Sequence, residues 1–318
     1  MRAKIWTCLK VSMENKRGRP LIVTQVVDAN DSNLGFFHRW IEEFAKHCEH
    51  VTVICLKEGA HQLPGNVSVY SLGKEKGTHS SFVYASRFLS LMWRLRREYD
   101  TVFVHMNPEY VLLGGFFWRA QGKKIALWYV HKSVTWTLRI ALRLVDVVFT
   151  ASPESFRLTS PKVRIVGHGI DAEFFSPDAS VPRGNHFLSV GRLMQSKQHN
   201  LAIRAAYDAR VPLRIAGEGP ERERLAALVR ELGANVTFLG GLTQEKLRDE
   251  YRAAAKLVHR SETGSLDKVV LEAAACGCSI DSTDPAIRVL PLSPEYVREH
   301  HSLQSLIPRI FVEFSRKQ

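Results

Sequence analysis

Two short motifs place glycine and basic residues where a phosphate could bind. Gly191-Arg192-Leu193 follows an apolar, strand-like run, and Lys197 precedes a stretch with helical spacing. Glycine lets a ligand approach the backbone, and a helix N-terminus favours an anion through its N–H groups and its dipole. Arginine and lysine beside it would neutralise a diphosphate. A surface turn with two solvated cations explains the same residues equally well, so this motif alone leaves both interpretations open.

The segment from Ser261 to Cys278 is more specific. A polar, glycine-containing loop leads into an apolar helix that carries Glu272. Loop N–H groups could receive a phosphate, and a carboxylate one turn deeper could accept hydrogen bonds from ribose hydroxyls. The ordinary alternatives are a helix-surface glutamate for Glu272 and a helix-capping role for Asp267. Gly217-Glu218-Gly219, at another predicted strand end, is a tight turn that by itself is only weak support for a ligand site.

The elements that must position these residues alternate along the chain. Short, nearly continuous apolar runs such as 21–27, 51–56 and 101–105 are separated by stretches with helical spacing, and the alternation restarts at His186. This pattern indicates βαβ units and parallel sheets. We therefore predict an α/β protein with two Rossmann-like, doubly wound domains that face a cleft. Ligands of such sheets bind at the carboxyl ends of the strands.

The domain boundaries follow from composition. A stretch with Pro177, Pro182 and Gly184 among polar residues has the composition of a linker. The predicted division is a basic N-terminal extension at 1–20, an N-terminal acceptor-binding domain at 21–175, the linker at 176–185, a C-terminal nucleotide-sugar-binding domain at 186–293 and a C-terminal helix at 294–318.

Composition narrows the class of protein. The chain has 318 residues, and domains usually hold about 100–200 residues, so two domains are expected. The net charge of +12 favours acidic partners, or describes only a basic surface. Five cysteines without a Cys-x-x-Cys pair indicate neither a disulfide framework nor a zinc site. Without a recognisable signal peptide or a membrane-spanning run, we expect a cytoplasmic protein whose only membrane contact would be peripheral.

Several motifs, taken in order, resemble a known family. They are Val190-Gly191-Arg192-Leu193 with Lys197, Gly217-Glu218-Gly219-Pro220, 236–240 and 271–277. Together they resemble the donor domain of the retaining glycosyltransferases of family 4, also called glycosyltransferase group 1, which have the GT-B fold. This family includes sucrose synthases and phosphatidylinositol mannosyltransferases. In the N-terminal half, 104–108, 128–131 and 167–171 are similar to family motifs as well, so the resemblance covers about 21–278.

The resemblance implies a retaining hexosyltransferase. Its donor substrate would be a nucleoside diphosphate sugar, and no cofactor or metal would be required. The acceptor hydroxyl would belong to a lipid-linked or saccharide acceptor in cell-envelope glycan or glycolipid synthesis. The implied catalytic residues are Arg192 and Lys197, which would bind the diphosphate and steady the leaving group, and His131, which would lie near the transferred sugar.

The remaining site residues are also implied by the resemblance. The implied donor-binding residues are Gly35, Gly191, Gly217, Glu218, Ser265, Leu266, Asp267, Lys268 and Glu272. Within this set, Glu272 would bind the ribose, and Gly217 and Glu218 would lie near the base. On the acceptor side the resemblance implies His105 and Asn107. Without the family, both His105 and His131 are more simply explained as hydrogen-bonded residues at strand ends.

Two departures from the family pattern leave a second function open. Gly264 stands where the family has the first of two glutamates, within a Thr-Gly-Ser-Leu-Asp-Lys sequence that indicates a variant subgroup. The chain after Ser279 also passes quickly to its last helical segments, so the C-terminal domain looks shortened. The alternative is a catalytically degenerate GT-B protein that binds a sugar nucleotide or a partner without turnover.

Charge and aromatic residues suggest where an acceptor membrane would lie. Arginines at 94–97, Arg139 and Arg143, together with Phe36, Phe37 and Trp136, would suit peripheral contact with an anionic membrane at its inner face. Charge alone also raises nucleic acid as a partner. No recognised nucleic-acid-binding motif is present, and we expect no nucleic-acid partner.

Overall fold

The computed structural model describes residues 18–77, 80–261 and 266–315. It has two sheets of parallel strands, each covered by helices, in the order along the chain that the alternating pattern predicts. The strands of the first sheet lie between residues 20 and 165, and those of the second between 187 and 282. The α/β architecture predicted from the sequence is therefore present in both halves of the chain.

The first sheet and its helices form the N-terminal half. Its strands are β1 (Pro20–Val27), β2 (Val51–Glu58), β3 (Val67–Ser71), β4 (Thr101–His105), β5 (Lys124–Trp128), β6 (Val147–Thr150) and β7 (Val163–Ile165). Its helices are α1 (Phe36–His47), α2 (Ser81–Arg94), α3 (Pro108–Ala120) and α4 (Trp136–Leu144). Over the described ranges these seven strands are all parallel, in the order β3-β2-β1-β4-β5-β6-β7.

The second sheet forms the C-terminal half. Its strands are β8 (Phe187–Val190), β9 (Leu213–Ala216), β10 (Val236–Gly240), β11 (Lys256–His259) and β12 (Ser279–Ser282). The helices that follow in the chain are α5 (His199–Ala209), α6 (Arg222–Leu232), α7 (Gln244–Ala253), α8 (Lys268–Ala275), α9 (Pro285–Arg288), α10 (Pro294–His300) and α11 (Leu303–Ser315). Among the described residues the five strands are parallel, in the order β10-β9-β8-β11-β12.

Strand β1 shows why the central strands are apolar on both faces. Leu21 and Val23 pack into the cluster under α2, α3 and α4, whereas Ile22 packs into the cluster under α1 and α11. Successive side chains of a strand point to opposite faces, so a strand with helices on both sides needs apolar residues at every position. This requirement is what made the buried strands recognisable in the sequence.

The chain passes between the two halves twice, and the two crossings are hydrogen-bonded to each other. The Ile170 N–H donates to the His301 carbonyl at 2.7 Å, and the Leu303 N–H donates to the Ile170 carbonyl at 2.8 Å. Helix α10 packs against α8 of the second half. Helix α11 returns to the first half, where it joins the core of α1. The stretch 294–318 thus contains two helices that belong to different halves.

A pair of buried histidines lies at these crossings. The rings of His168 and His301 are 5.9 Å apart between centroids, and each residue is less than one-tenth exposed. Within the described residues, Nε2 of His168 and both ring nitrogens of His301 lack a hydrogen-bond partner. Burial lowers the pKa of His168 to about 3 and that of His301 to about 4, so both rings are neutral at pH 7.

Lowering the pH from 7 to 5 is expected to reduce the free energy of unfolding. In the unfolded chain both histidines take up protons near pH 6.5, whereas in the folded chain their lowered pKa keeps them neutral. The unfolded state then binds more protons, so stability is lost as the pH falls below about 6.5, by up to roughly 1.4 kcal/mol per pH unit for each histidine. Urea unfolding at a series of pH values measures this slope.

The variant His168→Asn with His301→Gln isolates the contribution of the pair. It should show a shallower fall of the unfolding free energy between pH 6.5 and pH 5 than the parent chain. His50→Gln, away from the crossings, is the matched control and should keep the parent slope. An unchanged slope in the double variant would show that the two crossings do not couple to protons.

Candidate functional site

The carboxyl ends of the second sheet's strands bring the glycine turns together. The loops after β8 and β9 are joined by backbone hydrogen bonds: Gly191 N–H donates to the Ala216 carbonyl at 3.0 Å, and Leu193 N–H to the Glu218 carbonyl at 2.8 Å. The Gly217 N–H donates to the Gly240 carbonyl at 2.7 Å, which adds the end of β10. Three strand ends therefore form one continuous edge.

Glycine is required at the closest point between these loops. Gly217 has φ +140°, and a Cβ there would overlap the carbonyl oxygen of Gly191. Gly219 has φ +157°, and its Cβ would overlap the carbonyl of Leu193. L-residues with a side chain rarely adopt such φ values. The contact between the two turns is thus a backbone contact that leaves the strand edge open to a ligand.

An ion pair stands at this edge. Lys197 Nζ lies 2.5 Å from Asp267 Oδ2 and 3.4 Å from the Ser261 hydroxyl oxygen. His259 Nε2 is 3.0 Å from the same Asp267 oxygen. Burial alone would raise the pKa of Asp267, but the His259 hydrogen bond and the Lys197 charge outweigh it and hold the pKa well below its usual range. Arg192, in the loop after β8, is exposed.

Glu272 is buried, and this chain's own groups occupy both of its carboxylate oxygens. Lys268 Nζ is 3.0 Å from Oε1, and the Tyr251 hydroxyl donates to Oε2 at 3.2 Å. Burial raises the pKa of Tyr251, and the charge of Glu272 raises it further. A ribose hydroxyl that bonds Glu272 would therefore share or replace one of these two partners.

Lys268 also connects the two halves of the molecule. Its Nζ lies 3.4 Å from the ring centroid of Phe36, at the start of α1. Desolvation lowers the pKa of Lys268, and the pairing with Glu272 opposes that shift. A cation over an aromatic ring is attracted by the electrons of its face. The start of α8 and the start of α1 therefore meet across the cleft.

Hydrogen bonds and a close backbone approach define the loop before α1. The Gly35 N–H donates to the Asp31 carbonyl at 2.9 Å, and a Cβ on Gly35 would lie 2.5 Å from that same oxygen. Asp31 Oδ1 in turn accepts from the N–H groups of Asn33 and Leu34 at 2.9 and 2.8 Å. Gly35 also lines a cavity of about 500 Å³ whose wall is completed by Glu245 at the start of α7. The structure thus puts Gly35 at the boundary between the halves.

The residues predicted for the acceptor side, His105 and Asn107, lie at and just after the end of β4, and His131, predicted near the transferred sugar, follows β5. His105 is 2% exposed, stacks on Phe37 at 4.0 Å between centroids, and has Nδ1 3.2 Å from the Thr24 hydroxyl. Burial lowers its pKa to about 3. Asn107 is half-buried at the start of α3, and His131 is exposed. Of these three side chains, His131 is the most accessible. His105 packs beneath α1, against Phe36 and Phe37.

The structure brings together most, but not all, of the predicted donor residues. Gly191 meets Gly217, Lys197 meets Asp267, and Lys268 meets Glu272. Glu218 is exposed, and its carboxylate accepts from the Gly241 N–H at 3.3 Å. Leu266 is buried in the core under α8, and its side chain faces away from solvent. Ser265 and Gly264 lie outside the described residues.

Sequence reasoning missed His199 and His259. His199, in the first turn of α5, is buried between the Ser189 hydroxyl at 2.9 Å and the Gly191 carbonyl at 3.2 Å, and burial lowers its pKa to about 4. Its place two residues after Lys197 was the available signal. His259 ends β11 and gave no motif. Over the described ranges no group of three or more His, Cys, Asp or Glu residues is arranged to hold a metal ion.

A separate surface lies on the outer helices of the first half. On α2, Phe82, Leu89 and Trp93 follow helical spacing and are all exposed, Phe82 to 82%. Phe116 on α3 is 74% exposed and Trp136 at the start of α4 is 68% exposed. We call this set the aromatic face. Exposed arginines border it: Arg94, Arg97, Arg139 and Arg143.

Two of the aromatics expected at such a surface are not there. Phe37 is fully buried and stacks on His105, and Phe36 lies under Lys268. The prediction that these two are exposed was wrong, because the first turn of α1 packs against the sheet and the facing domain. Trp136 is exposed as expected. In the part of the chain that the structure describes, no helix is long and apolar enough to cross a bilayer.

Two parallel α/β units facing a cleft, with glycine turns and cations at the strand ends of the second, define a protein of the GT-B fold. Residues 171–287 match the family of glycosyl transferases group 1. The chain therefore has the GT-B fold, and the family match covers part of its C-terminal half, where several of its ordered motifs lie.

Curated relatives match part of the chain. One is the D-inositol 3-phosphate glycosyltransferase of Acidothermus cellulolyticus, 32% identical over 172 residues, which cover 46% of this chain and 36% of the relative. Another is the N-acetylgalactosamine-N,N'-diacetylbacillosaminyl-diphospho-undecaprenol 4-alpha-N-acetylgalactosaminyltransferase of Campylobacter jejuni, 30% identical over 141 residues, which cover 41% of this chain and 37% of the relative. The matches thus span little more than a third of either relative.

Solved structures match nearly the whole chain in fold. The Anabaena protein HepE, in complex with UDP and glucose, has a TM-score of 0.64 at 16% identity and covers 94% of this chain and 90% of its own. The sucrose-phosphate synthase of Thermosynechococcus elongatus has a TM-score of 0.65 at 17% identity, with coverages of 93% and 90%. At these identities the likeness concerns the fold.

Proposed function

We propose that this protein transfers a hexose from a nucleoside diphosphate sugar to an acceptor hydroxyl with retention of configuration, in the synthesis of a cell-envelope glycan or glycolipid. The bond between the anomeric carbon and the diphosphate oxygen breaks, the acceptor oxygen bonds to that carbon, and the acceptor proton passes to the departing diphosphate oxygen. The curated relatives are named as glycosyltransferases, and HepE was solved with UDP and glucose. The family match over 171–287 supports the donor class most directly.

The observation that carries the proposal is the cationic edge after β8. Lys197 is held at the strand ends by Asp267, and Arg192 is exposed in the same loop. A departing diphosphate develops negative charge, and fixed cations at its position lower the barrier without reorganising when the reaction occurs. Gly217 lets the two turns pack against each other, and in this proposal the nucleotide approaches the backbone at Gly191. Arg192 and Lys197 are thus the proposed catalytic residues at the leaving group.

In this proposal, the remaining parts of the donor molecule bind at the start of α8 and at the turn after β9. Glu272 accepts hydrogen bonds from the ribose after partial displacement of Lys268 or Tyr251. Glu218 lies near the base. Asp267, Lys268 and the amides of 265–266 supply the contacts to the sugar hydroxyls that a glutamate at position 264 would otherwise make.

The acceptor is proposed to enter from the first half. His131, exposed at the end of β5, is the proposed catalytic group near the transferred sugar. Asn107, at the start of α3, and the Gly35 loop are proposed to line the path of the acceptor. His105 serves the acceptor side from beneath by supporting Phe36 and Phe37, because its ring is buried and neutral. The acceptor itself is a saccharide or a lipid-linked molecule.

A second candidate function is binding of a sugar nucleotide without turnover. The occupation of both Glu272 oxygens by Lys268 and Tyr251 favours it, and so does the glycine at position 264. The two functions differ in one measurable respect: both bind the nucleotide, but only the first consumes the sugar donor.

Arg192→Ala and Lys197→Ala are each expected to reduce turnover by about 10²–10³-fold, because in this proposal each removes a positive charge from the leaving diphosphate. A panel of nucleoside diphosphate sugars, ranked first by thermal shift and then by product formation, gives the measurement. Arg204→Ala, exposed on the same helix as His199 but farther along it, is the matched control and should retain parent activity.

Near-parent turnover in both variants would contradict the transferase proposal. Calorimetric binding of a donor with neither transfer nor hydrolysis, across acceptors of both classes, would establish the binding function instead.

We also propose that the aromatic face binds an anionic membrane, which would present a lipid-linked acceptor. The exposed aromatic side chains would enter the boundary between headgroups and acyl chains, and the four bordering arginines would add roughly 1 kcal/mol each near an anionic surface. Trp93 contacts both a cation and a second aromatic ring. The Arg96 guanidinium carbon lies 4.3 Å from the Trp93 ring centroid, and the ring of Phe117 on α3 lies 5.7 Å away between centroids.

The chain is expected to float with vesicles that contain an acidic phospholipid and to remain unbound with neutral vesicles. Changing Phe82, Trp93 and Phe116 together to Ser should weaken partitioning at least about tenfold, because each buried aromatic contributes about 1.5 kcal/mol or more. Leu201→Ser with Tyr207→Ser, also exposed apolar residues but on α5, is the control. Equal recovery in the unbound fraction with both vesicle types would favour a soluble acceptor.

A further inference from the structure

A hydrogen-bond chain behind Lys197 crosses the second sheet. Ser282 on β12 lies 3.0 Å from His259 Nδ1, and His259 Nε2 lies 3.0 Å from Asp267 Oδ2. Asp267 in turn holds Lys197 Nζ at 2.5 Å. These hydrogen bonds thus join the ends of β12 and β11 to the start of α8 and to the loop after β8. The last pair, Asp267 and Lys197, is 70 positions apart in the sequence.

The direction of these hydrogen bonds is fixed at Asp267, because a carboxylate can only accept. His259 Nε2 therefore carries the hydrogen that Asp267 accepts. In the neutral ring Nδ1 is then the acceptor, and it accepts from the Ser282 hydroxyl, whose oxygen itself accepts from the Asp284 N–H at 3.1 Å. His259 is 5% exposed, so few other partners compete for its nitrogens.

Ser282, His259 and Asp267 have the residue types of a nucleophile relay, but their surroundings exclude that use. The Ser282 hydroxyl is in a strand and is committed to the Asp284 backbone. Asp267 is committed to the Lys197 ammonium rather than to orienting a base. The series of hydrogen bonds therefore ends at the Lys197 cation, and its effect is to determine where that cation lies.

We propose that His259 is a positioning residue that, acting through Asp267, holds the Lys197 ammonium where the donor diphosphate binds. The proposal deepens the proposed function and rests on it. Lys197 has a long, flexible stem, and its side chain runs past Gly191, where a Cβ would lie 3.5 Å from it. A lysine whose ammonium is already fixed loses less conformational freedom when it binds an anion than a mobile one does.

His259→Leu is expected to weaken UDP binding about tenfold, equivalent to about 1.4 kcal/mol, measured by calorimetry. His259→Gln should recover most of the affinity, because the glutamine amide can donate to Asp267 in place of Nε2. His186→Leu, a half-buried histidine at the opposite end of the same sheet, is the matched control and should bind UDP as the parent does. Urea unfolding of each variant verifies that it is folded.

A double-mutant cycle tests whether His259 acts through Asp267. With Asp267→Asn already present, His259→Leu should have little further effect on UDP affinity, because the two residues act in series. Additive losses, or parent affinity in His259→Leu alone, would overturn the proposal. A purely structural role would instead lower the affinity in His259→Gln as well.

A readout without nucleotide separates this proposal from the transferase assignment. The ammonium ¹⁵N–¹H signal of Lys197 should be visible in the parent and in His259→Gln, through slow hydrogen exchange, and lost in His259→Leu. If the three proteins show this pattern but the parent binds no nucleoside diphosphate, the positioning role of His259 stands and the proposed function fails. A Lys197 signal that is the same in all three proteins would overturn the positioning role.

Discussion

The candidate site depends on how closely the turns after β8 and β9 approach each other. Gly217 places its backbone against the Gly191 carbonyl, and Gly219 does the same against Leu193. Side chains at these positions would separate the turns, and the hydrogen bonds between Gly191 and Ala216 and between Leu193 and Glu218 would be lost with them. The direction in which Lys197 leaves its loop follows from this contact. The carboxyl ends of the parallel strands form the edge, and the glycines let the turns after β8 and β9 come into backbone contact.

Charge at this edge is balanced inside the protein before any ligand arrives. Lys197 is paired with Asp267, and Lys268 with Glu272, so neither cation is buried without a counter-ion. Burying an unpaired charge costs several kcal/mol, which explains why Lys197 and Lys268 are each paired with a carboxylate. An arriving diphosphate would have to share these cations with their internal partners. Exposed Arg192 is the cation that adds net positive charge for the ligand.

The order of elements could be predicted from the sequence because strands buried on both faces are apolar at nearly every position. β1, whose residues divide between two cores, shows this directly. The glycine turns and Lys197 were also predictable, since each follows a recognisable strand. The pairing of Asp267 with Lys197 was not, because the sheet order β8-β11-β12 brings these distant residues together. The Tyr251 hydrogen bond to Glu272 depends in the same way on tertiary packing, between α7 and α8. The exposure of Phe37 was mispredicted for a related reason, since a local pattern does not show which face of α1 meets the sheet.

The two chain crossings set the relation between the halves. Ile170 bonds both His301 and Leu303, and α11 continues into the core of the first half. Both crossings therefore meet at one point, and the Lys268–Phe36 contact joins the same two halves at the cleft. The sequence indicated a final helical segment but not that it returns to the first domain.

The central claim is that the strand edge of the second sheet binds a nucleoside diphosphate. Hydrogen–deuterium exchange of the full chain, with and without UDP, tests it most directly. The account predicts slower exchange at 191–199, 217–221 and 266–272, with little change on α2 and α3. Binding of UDP that leaves those three stretches unprotected, or that protects a different surface, would contradict the account.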